Sequence, residues 1–184
     1  MRIISLIFTL FFSSIAFSEP KIEIIDKLKN INNLKFNFSQ KINEKKEQGE
    51  CFILYPKKIL CIYQDIYNKI LVSNGKSLVI NSDKSNQYYI YKLEKTPLNI
   101  ILDKNFLINK ISEINKLDES NNSYLIEFKN KKNLITIFFD KKELVLTGWT
   151  TIDIYQNIVE TKISDLRTNF LIDENIFNIN KYIN

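Results

Sequence analysis

Histidine is absent from this 184-residue chain. That removes the Ser-His and Cys-His pairs that activate nucleophiles, and every metal site with an imidazole ligand. Two cysteines alone cannot build a structural zinc site, so no metal is expected. There are three glycines, none placed in a phosphate-cradling loop. The acidic pairs Asp118-Glu119 and Asp173-Glu174 fall in expected turns, where carboxylates are ordinarily solvated. No catalytic residues and no cofactor are therefore expected. Arginine is reduced to Arg2 and Arg167. Lys and Arg together number 26 against 21 Asp and Glu, a mild excess spread over many lysine-containing segments. It forms no basic stripe with interleaved aromatics, so a nucleic-acid partner is not expected.

The chain starts with a basic residue, Arg2, and an apolar run from Ile3 to Phe12. Small residues follow, and residues 1–18 read as a cleaved secretory signal peptide, too short in its apolar part to span a membrane. A lipid-anchored product would need a cysteine after the cut at Ser18, and none is there. Residues 19–184 are expected to form one exported, soluble domain, a length that suits a single core.

The stretch from Gly49 to Pro97 carries the clearest pattern. Short apolar runs alternate with turn residues: Tyr55-Pro56-Lys57, Gln64 to Asn68, Asn74-Gly75 and Ser82 to Asn86. An Asn-Gly pair between two such runs is a strong hairpin signal. Five antiparallel strands are expected at 49–54, 59–63, 69–73, 77–81 and 87–93, rich in the Ile, Val, Tyr and Phe that suit a pleated surface. Upstream, Leu34 to Gln40 alternates apolar and polar, a half-buried strand. It is preceded by an amphipathic helix over Lys21 to Ile31, with Ile22, Ile25, Leu28 and Ile31 on one face. Thr96-Pro97 is expected to open a second helix, hydroxyl at the N-cap and Pro at the first helical position. Its apolar face is Leu98, Ile101, Leu102 and Phe106. More strands are expected at 111–117, 123–129, 133–139, 143–153 and 157–167, with a last short one near Ile176 to Ile179. About eleven strands in consecutive hairpins imply a barrel or a strongly curved sheet of the mainly β (α+β) class. Several strands are apolar on both faces, among them Ile59 to Tyr63 and Leu134 to Phe139, where an antiparallel sheet normally needs only one apolar face, and the helices are expected to cover one of these surfaces.

In order, Gly49, Tyr55-Pro56, Ile59 to Tyr63, the hairpin LVSNGKSLVI, Gln87 and Thr96-Pro97 with Leu98 and Leu102 resemble the LolA-type outer-membrane lipoprotein carriers. The resemblance is clearest from Phe36 to Leu102. It implies an open, unclosed antiparallel β-barrel of about eleven strands, with a helical lid over a cavity for acyl chains. The implied function is a periplasmic chaperone that takes lipoproteins released from the inner membrane and carries them to the outer membrane. The implied partners are acylated lipoproteins, an inner-membrane lipoprotein-releasing ABC transporter and an outer-membrane lipoprotein acceptor, with the chain itself a monomer. The alternative is a periplasmic sensor or regulatory domain on the same scaffold, binding a lipid or a protein. A closed barrel for a small apolar ligand is a third reading.

Phe36, Phe38, Ile53, Ile59, Tyr63, Leu98, Ile101, Leu102 and Trp149 are the candidates for cavity wall and lid, each of which could equally be an ordinary core residue. Tyr55 stands where the resemblance implies an arginine that holds the lid closed. It is either a hydroxyl latch or simply a tyrosine beside a turn. Cys51 and Cys61 are the last candidates. If Tyr55-Pro56-Lys57 is a three-residue turn, Leu54 faces Lys58 and the two cysteines lie directly opposite each other. They are either bridged, as an oxidising compartment would favour, or two buried thiols.

Overall fold

The computed structural model describes residues 19–64, 66–82, 87–130, 133–153 and 156–183. The expected signal peptide lies outside the described residues. Among the described residues a single eleven-stranded antiparallel sheet is the dominant element. Its strands are β1 (Asn33–Ile42), β2 (Lys45–Leu54), β3 (Lys58–Tyr63), β4 (Lys69–Asn74), β5 (Ser77–Ser82) and β6 (Gln87–Lys92), then β7 (Asp118–Glu119), β8 (Ser123–Asn130), β9 (Asn133–Asp140), β10 (Leu146–Ile152) and β11 (Ile158–Thr168). In space they run β6-β5-β4-β3-β2-β1-β11-β10-β9-β8-β7, so the sheet is open, with β6 and β7 as its edges. The first and last strands meet at its centre, β1 pairing with β11 over most of its length.

Among the described residues three α-helices cover the inner face: α1 (Pro20–Asn30), α2 (Leu98–Ile101) and α3 (Lys104–Glu113). α1 starts with Pro in its first turn and ends with Lys27 and Lys29 in its last, where the helix dipole favours them. Its buried stripe is Ile24 and Leu28, one turn apart, with Ile25 and Ile31 partly buried beside them. Ile22, expected on the apolar face, is 47% exposed. The inner core joins Ile24 and Leu28 to Leu34, Phe36, Ile53, Ile59, Leu102, Leu107, Ile111 and Trp149.

Elements differ from expectation in several places: β2 begins at Lys45 and not at Gly49, and the expected second helix is broken after Ile101, so that Phe106 belongs to α3. The segment expected as a strand at 111–117 ends α3 at Glu113 and then runs on irregularly, and only Asp118–Glu119 is extended. The reason is spacing: Leu107, Ile111 and Ile114 recur at helical steps and pack inward, and the Asp103 carboxylate caps the helix by accepting from Phe106 N–H at 3.1 Å. Thr96 does not cap α2. Pro97 takes that position, and the Thr96 hydroxyl donates back to Leu93 O at 2.8 Å. Residues Lys141 to Leu144 form a turn, held by Lys142 and Glu143 N–H groups on the Asp140 carboxylate, so β10 begins only at Leu146. Finally, the region near Ile176 to Ile179 forms two 3-10 turns, Glu174–Phe177 and Ile179–Tyr182.

Those turns explain the second apolar face of the central strands. Phe177 packs with Leu60, Val72 and Val79 on the outer side of β3, β4 and β5. Asn81 Nδ2 donates to Tyr182 O at 2.7 Å, pinning the tail there. The inner face is thus covered by helices, and the outer side of β3, β4 and β5 by the C-terminal segment.

Candidate functional site

Between the inner face of the sheet and the start of α2 lies a cavity of about 360 Å³. Its wall is built by strand alternation, since every second side chain of a strand points to the same face. β1 sends in Phe38, Gln40 and Ile42; β3 sends Ile59, Cys61 and Tyr63; β5 sends Leu78 and Ile80. Trp149 and Thr151 of β10 and Val159 and Thr161 of β11 close the far side, and Thr96, Pro97 and Leu98 close the top. The lining is largely apolar, within the size range of about 300–1,000 Å³ for small-ligand sites and near its lower end.

Gly49 makes part of this wall possible. It stands between Phe38 and Tyr63 in the register of β1, β2 and β3. A Cβ at Gly49 would lie 2.1 Å from Ile62 O and 2.9 Å from the Phe38 ring. With no side chain between them, the Phe38 and Tyr63 rings meet edge to face, centroids 4.9 Å apart. Trp149 is fixed in a similar way by the bulge at Gly148, whose φ of +155° brings the backbone close to Thr161. Its ring meets Phe36 edge-on at 6.1 Å.

One end of the cavity is polar. The Glu47 carboxylate, 4% exposed, accepts from Lys45 and Lys69, each at 2.6 Å. Burial pushes its carboxyl up, but the hydrogen bonds and charges of the two lysines outweigh that and hold it below the ordinary value. Lys69 Nζ also sits 3.9 Å from the Tyr63 ring centroid. Gln40 donates to Thr161 Oγ1 at 3.0 Å, so this end is closed by satisfied polar groups.

Of the candidates read from the sequence, Phe38, Ile59, Tyr63, Leu98 and Trp149 line the cavity, as do Cys51 and Cys61. Phe36, Ile53, Ile101 and Leu102 pack behind it in the solid core. Gln40, Leu78, Ile80 and Thr161 line it without having been singled out. Alternation along β1, β5 and β11 was the signal that could have found them. Leu54 faces Lys58 across the β2–β3 turn, and Cys51 faces Cys61 and is joined to it by a disulfide.

Tyr55 is partly buried against the core, which pushes its hydroxyl up in pKa; that hydroxyl makes no hydrogen bond among the described residues and keeps access to solvent, since no sealed side-chain oxygen there lacks a partner. The polar hold on the helices comes from Lys57 instead. Its backbone N–H donates to Leu102 O at 2.9 Å, and its Nζ lies 3.2 Å from the Asp103 carboxylate. Lys104 adds a second tie, donating to Ile31 O at 2.7 Å and lying 5.8 Å from the Tyr55 ring centroid. Among the described residues no helix is long and apolar enough to cross a membrane, and no three His, Cys, Asp or Glu side chains gather as a metal site.

Residues 29–180 match the family described as outer membrane lipoprotein carrier protein LolA. The chain belongs to the LolA family. An outer-membrane lipoprotein carrier protein of Francisella tularensis subsp. tularensis is 32% identical over 149 residues, covering 74% of this chain and 72% of the relative. One from Francisella philomiragia is 29% identical, covering 96% of this chain and 92% of the relative. Among solved structures, an outer membrane lipoprotein-sorting protein domain from Vibrio parahaemolyticus superposes with a TM-score of 0.51 at 13% identity, covering 89% and 98% of the two chains. An uncharacterized conserved protein from Thermus thermophilus gives 0.53 at 8% identity, covering 86% and 90%. These two likenesses speak for the LolA-type fold alone.

Proposed function

We propose that the chain is a periplasmic carrier that shields the acyl chains of lipoproteins between the inner and outer membranes. The observation that carries this reading is the apolar cavity closed by Leu98 at the start of α2. Membership of a family whose named relatives are lipoprotein carriers supports it. In this reading residues 1–18 direct export and 19–184 are the carrier domain, working as a monomer. Cargo arrives from a lipoprotein-releasing ABC transporter and leaves to an outer-membrane acceptor.

The mechanism is burial without bond-making. Each methylene removed from water contributes about 0.8 kcal/mol. Phe38, Ile59, Tyr63, Leu98 and Trp149 supply the surface, and the Glu47–Lys69 end limits how far a chain can enter. A cavity near the lower end of the ligand range requires α2 to move before a multiply acylated cargo fits. Opening replaces contacts of Leu98 and its neighbours by contacts with cargo, a shift between two states of similar free energy. Lys57 and Asp103 set that balance in place of the arginine expected at Tyr55.

The test uses inner-membrane vesicles of the same organism that bear a lipoprotein-releasing transporter, with ATP. Lipoprotein should appear in the soluble fraction only when the mature protein is added. Apolar probe binding without any release would favour the sensor reading.

A further inference from the structure

The two edges of the sheet are built differently. β7 is two residues long and both are acidic, the usual protection of an exposed edge. β6 has none of that protection. It pairs with β5 in unbroken register from Gln87 to Lys92, without bulge or proline, and its first five residues carry no charge. All six residues are exposed, including Tyr88 at 43%, Tyr89 at 55%, Ile90 at 52% and Tyr91 at 38%. No strand meets its outer side among the described residues. Leu93 N–H donates to Lys76 O, so Tyr91 and Tyr89 point their backbone groups towards β5. By the two-residue alternation of an antiparallel ladder, Tyr88, Ile90 and Lys92 point theirs outward.

We propose that this edge receives, as an added β-strand, the extended N-terminal segment of the cargo polypeptide next to its acylated residue. The proposal rests on the carrier reading above. Its occupant follows from continuity: Tyr91 belongs both to β6 and to the cavity wall, beside Leu78 and Ile80 of β5. A polypeptide tethered to acyl chains held against those side chains leaves the cavity along β6. The outward amides and carbonyls bind any sequence, and the uncharged aromatic flanks accept apolar or small residues, so the pairing suits a carrier of many cargoes. Acyl chains give the hold on the lipid, and the edge orders the tether.

Two fluorescent probes are compared on the mature protein: a palmitoyl chain alone, and the same chain on a peptide long enough to pair with all of β6. The peptide should tighten binding roughly tenfold, the worth of a few net hydrogen bonds. N-methylation of alternate peptide amides should abolish the gain, on unaltered protein. Ile90→Pro, which removes an outward N–H without touching the β5 ladder, should abolish it too and leave palmitoyl-only binding unchanged. Equal binding of the methylated and unmethylated peptides overturns the proposal while leaving the cavity intact. Failure of the palmitoyl chain itself to bind overturns the carrier reading as well. A concentration-dependent dimer that Ile90→Pro dissolves assigns the edge to a second copy of this chain and overturns the cargo assignment.

Discussion

Removing the charge of Lys57 should make the lid easier to open. In the structure its Nζ lies 3.2 Å from Asp103, and both side chains are about one-third exposed, at 34% and 29%. A pair so placed contributes about 0.2–1 kcal/mol. Lys57→Met deletes it but leaves the backbone donor to Leu102 O in place. Asp103→Asn deletes it from the other side and keeps a cap for Phe106 N–H, because Asn caps as well as Asp. Closure competes with ligand, so a weaker latch raises the apparent affinity for an acyl probe, by up to about fivefold at 1 kcal/mol. The assay is titration of a fluorescent fatty-acid probe into each mature variant at low and at high salt. Wild type should bind more tightly as salt screens the pair, and both variants should lose that dependence. The double variant should match either single one. Unchanged affinity in both variants at every salt concentration would refute the latch. Tyr55→Phe serves as the control and should be near neutral, since its hydroxyl has no partner to lose among the described residues.

Leu98→Asp should weaken the same probe at least tenfold by placing a charge in the cavity wall, whereas Lys92→Asp on an exposed position should not. Intact mass after thiol alkylation, with and without reductant, should show Cys51 and Cys61 blocked until reduced; full alkylation of unreduced protein would contradict the bridge. The Glu47 carboxyl is held below its ordinary value of 4.5, so it contributes stability that is present above that pH and lost as pH falls through the lowered folded value. Denaturant midpoints of Glu47→Gln should therefore lie below wild type at neutral pH and converge with it in acid. Parallel curves across that window would show that the lysines do not depend on the charge.

How much of this was legible beforehand depended on whether local chemistry fixed the outcome. The β2–β3 register was legible because the Tyr55-Pro56-Lys57 turn sets it, and with it the facing of Cys51 and Cys61. Alternation placed Phe38, Ile59 and Tyr63 on one face. The expected strand at 111–117 fails because Ile111 continues the stripe begun by Leu107, four residues earlier, and so extends a helix that runs to Glu113. The outer cluster around Phe177 could not be foreseen, since what covers Leu60 and Val72 lies more than a hundred residues away in sequence. The same holds for Lys57: its turn, with φ of +67° at this residue, aims the side chain at Asp103, and nothing in the residue type announces that.

Native mass spectrometry of the mature protein recovered from the periplasm of its own organism tests the central claim most directly. A fraction should carry an adduct with the mass of an acylated lipoprotein, and Leu98→Asp should lose it. Recovery of the wild-type protein bare, or with free fatty acid or phospholipid as its sole adduct while transporter and cargo are abundant, would contradict the carrier account.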